Sequence, residues 1–430
     1  MSDGRTQPTA GLPHSIEQAV AEIDEMLAAA DQALDGAYPG ERTGRQPVHT
    51  AYVPADRFHP ELGADWGQQA RQALTDCASS PAEFGAAMGL PEDIAATVRD
   101  RVVAKLSSEP VEDLRLDFED GYKPASDDGT GEDTDAVVAA RNLAAAAAAG
   151  SAPPFTGIRC KSLEAPTRLR AIRTVSLFLG ELLARGPLPA GFVLTLPKVT
   201  SADQVRAMVL LCDRLEQAFG LPEGSLRFEI QAETPQLILG PDGSATIARC
   251  VHAGGQRLVG VHYGTYDYAA ALGIAGEFQR LDHPAADHAR AVIQVAAAGT
   301  GVRLSDGSSN VLPTGSPAAV IAAWREHSRL VRRSLERGFY QGWDLHPAQL
   351  ASRYAATYGF FLAGVARACD RLRSYAMSAA SGTLEEPATA RALAGFLLRG
   401  LDCGALGEAH VIERCGQDRT GLSALRDARR

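Results

Sequence analysis

Short apolar runs alternate along the chain with longer stretches in which Ala, Leu and Arg recur at helical spacing. The short runs are rich in β-branched and aromatic residues and end at polar or Gly/Pro positions, as buried strands do. They predict strands at His49–Val53, Leu114–Phe118, Gly157–Cys160, Phe192–Leu196, Leu226–Ala232, Leu258–Tyr263 and Gly342–His346, with a weaker eighth at Val302–Leu304. Between them the pattern predicts helices at Asp65–Cys77, Pro91–Leu106, Thr134–Ala149, Ala165–Arg185, Ser201–Phe219, Thr246–Ala253, Pro284–Gly299 and Pro317–Arg337. Strands that alternate with helices form parallel sheets covered on both faces. Eight such units are the content of a TIM (β/α)8 barrel; a doubly wound open sheet has the same alternation, because periodicity does not report closure.

The ends differ from the middle. Residues 1–13 have no periodicity. Ser15 is placed as an N-cap with Gln18 three residues on, ahead of Ile16, Val20, Ile23, Leu27 and Leu34 at helical spacing, and Gly36, Pro39 and Gly40 stop that helix. The acidic, Gly-rich stretch Asp127–Asp135 is expected to be an exposed loop. After Gln349 the chain is helical, with Gly382 and Pro387 as breakers. The expected organisation is a helical lead-in over 1–46, a barrel over 47–350 and a C-terminal helical extension over 351–430.

Composition removes several function classes. Lys and Arg total 42 against 52 Asp and Glu, a formal net charge of -10, which is the wrong sign for a general phosphate-backbone binder. No apolar run approaches the ~20 residues of a membrane helix, and the first residues are too polar for a signal peptide. Seven scattered cysteines without a CxxC give neither a disulfide framework nor a thiolate zinc site, so a reducing, cytoplasmic setting is expected.

Barrel active sites are built where strands end, and here successive strands end in chemistry. The second gives Asp117, Glu119 and Asp120, with Asp117 and Glu119 on one face. A solvated Asp-Gly turn is the plainer reading, but Asp117 lies inside the apolar run. The third ends at Arg159, suited to a carboxylate or phosphate, although taken alone a surface arginine on a short edge strand is the plainer reading. The fourth ends in Pro197-Lys198, where the lysine could hold an anion, stabilise an enolate, form a Schiff base or simply be solvated. The fifth ends at Glu233, which by itself also suits a helix start, and the sixth is followed by Asp267; together the two carboxylates suit a hard divalent cation. His262 within the sixth strand is a base or a hydrogen-bonded core histidine. His346 after the last strand, two residues beyond Asp344, is a base, a clamp or a structural cap.

The blocks LDFEDGY, GIRCKS, LPKV, IQAETP, HYGTYDYAAALG and GWDLHPAQ, in this order from Leu116 to Gln349, resemble those of the HpcH/HpaI aldolase and citrate lyase beta-subunit group of pyruvate-type TIM barrels. The resemblance implies Mg2+, or Mn2+ in its place, held by Glu233 and Asp267. It implies that Arg159 binds the substrate's oxo or carboxylate group and that Glu119 and Asp120 position water about the metal. It implies making or breaking a carbon–carbon bond beside a 2-oxo or 2-hydroxy acid or its acyl thioester, with metal-bound water, His262 or His346 as base. Homo-oligomers are implied as well. The chain departs from the group in RCKS, in its long ends, and in lacking the C-terminal catalytic Asp segment of coenzyme A-dependent members; Asp402 is a poor match, which leaves coenzyme A open. The alternatives are phosphoryl transfer or thioester processing on the same scaffold, for which no phosphate-binding glycine loop is seen, and a non-catalytic barrel subunit or ligand sensor.

Overall fold

A computed structural model describes residues 13–126, 128–378 and 387–428. Its eight strands are β1 (His49–Pro54), β2 (Asp113–Asp117), β3 (Phe155–Arg159), β4 (Phe192–Leu196), β5 (Arg227–Ala232), β6 (Leu258–Tyr263), β7 (Arg303–Ser305) and β8 (Gly342–Asp344). All ladders are parallel, in the order β7-β6-β5-β4-β3-β2-β1-β8. A parallel bridge between Ser305 and Gln341, with Asp306 N–H donating to the Gln341 carbonyl at 2.8 Å, brings the two edges together. The architecture is therefore a TIM barrel, and the open-sheet alternative falls.

The interior of this barrel is polar. Outward-facing positions such as Leu114, Leu116, Ile158, Leu194, Ile230 and Val261 are fully buried under the helices. The alternate positions meet across the barrel: Arg115 of β2 donates to Glu229 of β5 at 3.0 Å, Thr195 of β4 donates to the same carboxylate at 2.6 Å, and Trp343 of β8 donates to His262 of β6 at 2.8 Å. The period-two alternation separates an apolar face toward the helices from a charged, hydrogen-bonded face toward the axis. Gly157 makes room for this layer; a Cβ there would lie 2.4 Å from Arg115 Nη1.

Four sequence expectations change. The first helix runs His14–Ala37 with Pro13 before it and no side-chain cap, so Ser15 is inside the helix, and none of its residues is buried. A helix covers Thr130–Ala149, so the expected loop at Asp127–Asp135 is confined to its start; Asp128 accepts from Thr130 N–H at 2.9 Å, and Glu132 and Asp133 favour the positive end of the helix. Residue 127 itself, like residues 1–12 of the lead-in and the breaker Gly382, lies outside the described residues. Short helices at Pro81–Met88 and Thr265–Ala271 were not expected. The helix Gln349–Ser378 follows β8 and packs against Glu92–Ser108 and Pro317–Glu336, so the eighth outer helix is drawn from residues beyond 350. No described helix is long and apolar enough to cross a membrane, and all seven cysteines are free.

Under the wall between β1 and β8, His49 is fully buried. Its Nε2 accepts from Glu112 N–H at 3.1 Å and its Nδ1 lies 3.2 Å from Asp344 Oδ2. Accepting through Nε2 requires the neutral ring, and burial lowers its pKa from 6.5 to about 4. An unfolded histidine protonates near 6.5 and the folded one only near 4. Stability is thus full above 6.5 and falls as the pH drops through that window, by about 3 kcal/mol for this group. His327, also depressed by burial, acts in the same direction. Urea unfolding at pH 7 and pH 4.5 should show this loss, and His49→Gln should reduce its slope.

Candidate active site

The strand exits converge on one side chain, Lys198. Its Nζ lies 3.0 Å from Glu119 Oε1, 3.5 Å from Asp120 Oδ2, 4.0 Å from Glu233 Oε1 and 3.1 Å from Asp267 Oδ2. Carboxylates from the segments that follow β2, β5 and β6 thus surround a single cation position. Lys198 is the one non-glycine among the described residues with positive φ, at 53°. That conformation costs about 1–2 kcal/mol. It is held because its backbone N–H donates to Glu233 Oε1 at 2.8 Å while its ammonium is held by the carboxylates.

Arg159 stands beside this cluster. It grips Asp117 with two parallel bonds, Nε to Oδ1 at 2.6 Å and Nη2 to Oδ2 at 2.7 Å, and lies over the Tyr52 ring at 4.9 Å. Its remaining arm, Nη1, is 3.4 Å from Glu119 and 3.5 Å from Asp120. Gln231 links the two halves. With its amide oriented to satisfy both neighbours, its nitrogen donates to Glu233 Oε1 at 3.3 Å and its oxygen accepts from Arg159 Nη1 at 3.2 Å. Sequence reasoning missed Gln231, although Glu229, Gln231 and Glu233 at i, i+2 and i+4 carry the signal of one inward face.

Two cations face five carboxylates here, so the mouth carries excess negative charge. Burial pushes both Glu119 and Glu233 up to about 7. Lys198 is pulled the other way: burial opposes its charge, but Glu233, Glu119, Asp120 and Asp267 together hold its proton well above the usual lysine range. Among the described residues no three or more His, Cys, Asp or Glu side chains are grouped so that they could hold a metal ion together. The donor chemistry still fits a hard cation bound open-sided, since Mg2+ takes one or two carboxylates and keeps several waters. Space for the Glu233 carboxylate comes from Gly264, where a Cβ would lie 2.4 Å from Glu233 Cβ and 2.6 Å from Oε2. Gly264→Ala is expected to cost about 1–3 kcal/mol in urea unfolding and to push Glu233 out of the cluster, because the added methyl would overlap both the Cβ and the carboxylate of that buried side chain.

The histidines stand apart. His262 lies in the interior layer, its Nε2 2.9 Å from Glu229 Oε2 and its Nδ1 accepting from the Trp343 indole. Both ring nitrogens are engaged, as in a core histidine. His346 is half-buried at the exit of β8, where its Nδ1 accepts from Ala348 N–H at 3.2 Å and burial lowers its pKa. Among the described residues no hydrogen bond or ion pair links it to Lys198. Asp344 turns away from the mouth to Arg353, His49 and His327. Asp402 sits at the end of the helix Pro387–Asp402, paired with Arg419 at 2.6 Å.

Comparison with known proteins adds a family and a fold. Residues 27–430 match the family described as Domain of unknown function (DUF6986). No curated protein matches the chain. Among solved structures, a citrate lyase from Burkholderia xenovorans LB400 superimposes with a TM-score of 0.58 at 16% identity, over 87% of this chain and 97% of that one. The malate synthase of Haloferax volcanii, as a pyruvate/acetyl-CoA ternary complex, gives 0.48 at 14% identity over 73% and 71%. The citrate lyase beta subunit of M. tuberculosis, complexed with oxaloacetate and magnesium, gives 0.41 at 18% identity over 72% and 96%. At such identities the likeness is one of fold, and it rests on the first of the three.

Proposed function

The chain belongs to the DUF6986 family, and from the geometry of its barrel mouth we propose that it is a divalent-cation-dependent carbon–carbon lyase or aldolase acting on a 2-oxo or 2-hydroxy acid, or on the acyl thioester of such an acid. The observation that carries the reading is the ring of Glu119, Asp120, Glu233 and Asp267 within 4.0 Å of one cation position. The fold shared with a citrate lyase is consistent with it.

Glu233 and Asp267 would hold Mg2+ or Mn2+, with Glu119 and Asp120 ordering water beside them. When bound, the ion would supply Lewis-acid polarisation of the substrate's oxo group. Arg159 is fixed by Asp117 so that Nη1 points into the mouth. There it orients the substrate's carboxylate and offers a fixed positive charge to an oxygen that becomes enolate-like. Lys198, released from the carboxylates as they are neutralised, is within reach of the same anionic groups. In the cleavage direction a base must take the hydroxyl proton. Glu119, held near 7, titrates where a base works at neutral pH, whereas the nitrogens of His262 are already engaged.

The test incubates the protein with a panel of small 2-hydroxy acids and their coenzyme A thioesters, with Mg2+ or with EDTA, and measures released 2-oxo acid. Turnover that EDTA stops is expected; turnover indifferent to EDTA would overturn the metal role. Assembly into homo-oligomers is proposed on the sequence resemblance alone, and light scattering of the purified protein checks it.

A further inference from the structure

A cavity opens at the N-terminal end of the barrel, opposite the mouth. It has a volume of about 330 Å3 and lies between the chain leading into β1, the start of β7 and the helices Pro387–Asp402 and Arg419–Asp427. Its walls differ. Val48, Tyr340, Phe361 and Leu398 form an apolar side, while Arg42, Arg303 and Arg399 supply guanidinium groups.

Two of these guanidinium groups have only neutral partners. Arg42 donates to the carbonyls of Gly301 at 3.1 Å and Gln256 at 2.9 Å. Arg303 donates to those of Gly44 at 2.9 Å and Thr43 at 3.4 Å. Neither has an ion pair among the described residues. Arg399 pairs at 2.8 Å with Glu41, which is exposed at the rim, and lies over the Tyr340 ring at 4.4 Å. The acid beside them, Asp402, is already bound by Arg419. Burial and the positive charges of Arg42, Arg399 and Arg227 together lower Arg303 to about 10, with Asp402 only partly opposing them. The carbonyls held by Arg42 lie just beyond helix C-termini, which accounts for Arg42 as an anchor of the lead-in segment. Arg303 is left as a half-buried charge without an ion pair, Asp402 nearby being taken by Arg419, in a chain whose formal net charge is -10.

We propose that this cavity binds a small organic oxyanion, a carboxylate or phosphate ester with a short apolar body. The planar forks of Arg303 and Arg399 take the oxyanion through paired hydrogen bonds. The Val48, Tyr340, Phe361 and Leu398 side takes the apolar body. Because its walls come from both the barrel floor and the C-terminal helices, the bound anion clamps those helices to the barrel. The site is separate from the mouth and does not depend on the reaction proposed there.

Thermal unfolding and calorimetric titration of the full chain with phenyl phosphate, benzoate and inorganic phosphate test the proposal. Phenyl phosphate or benzoate should raise the melting temperature saturably, and the aromatic ester should bind about tenfold or more tightly than inorganic phosphate, since only it uses the apolar wall. Which of the two aromatic probes binds separates the ester from the carboxylate. Arg303→Gln and Arg399→Gln should each weaken binding about tenfold or more, while Lys198→Gln at the mouth should leave it unchanged. Arg399 lies at the rim, so its variant serves even if Arg303→Gln fails to fold. No saturable shift with any probe, unchanged affinity in the arginine variants, or loss in Lys198→Gln would overturn the assignment.

Discussion

Replacing Glu233 by glutamine is expected to make the metal-free protein more stable at pH 8 and, in the same variant, blind to divalent cations. Burial raises the Glu233 carboxyl from 4.5 to about 7. The folded state therefore keeps this proton over a range in which the unfolded chain has lost it. The sign follows: stability is full below 4.5 and falls as the pH rises toward 7, by about 3 kcal/mol for this group. Glutamine does not titrate, and its oxygen can still accept from Lys198 N–H. The variant should thus unfold at higher urea concentration than wild type at pH 8 and at nearly the same concentration at pH 5. In the wild type, Mg2+ should raise the melting temperature more at pH 8 than at pH 6, because protons compete for the same oxygens. That rise should vanish in Glu233→Gln, and turnover should drop by about 100-fold or more. A variant that kept the Mg2+ response would remove Glu233 from the metal site.

The other large effect lies in the layer beneath. Arg115 is fully buried, donating to Glu229 at 3.0 Å and to Asp113 at 2.8 Å. Arg115→Met leaves two buried carboxylates facing one another without their cation. Breaking a buried pair in this way costs about 3–5 kcal/mol, far more than the pair contributes relative to an apolar substitute. Despite burial, Arg115 and His262 hold Glu229 down to about 2. The freed carboxylates should take up protons in the variant, so the loss should be greatest at pH 7 and smaller at pH 5. Adding Glu229→Gln should restore part of the stability, a coupling that a double-mutant cycle in urea measures. Equal losses at both pH values would mean that packing, not charge, governs this layer.

Much of this arrangement was legible beforehand. The strands Phe192–Leu196 and Leu258–Tyr263 are found at the predicted bounds because an unbroken apolar run between turn residues has few other uses. The alternation in Leu114-Arg115-Leu116-Asp117 was visible too, but its meaning was not. A one-dimensional pattern separates two faces without saying which one meets the helices and which the axis. Gln231 was missed for that reason, and His262 and His346 could not be ranked. The first helix shows the converse: apolar residues at regular helical spacing, yet Ile23 and Met26 are 52% and 76% exposed.

The alternation of eight strands with helices and the polar residues at the strand exits are written into short stretches of the chain, because backbone periodicity and the end of an apolar run are local properties. Only folding brings Ser305 to Gln341 to close the sheet, gathers four carboxylates at Lys198, and leaves Arg303 at a cavity without an ion pair. Those are relations between residues far apart in the chain, and distance, burial and the balance of charge exist only once the chain has folded.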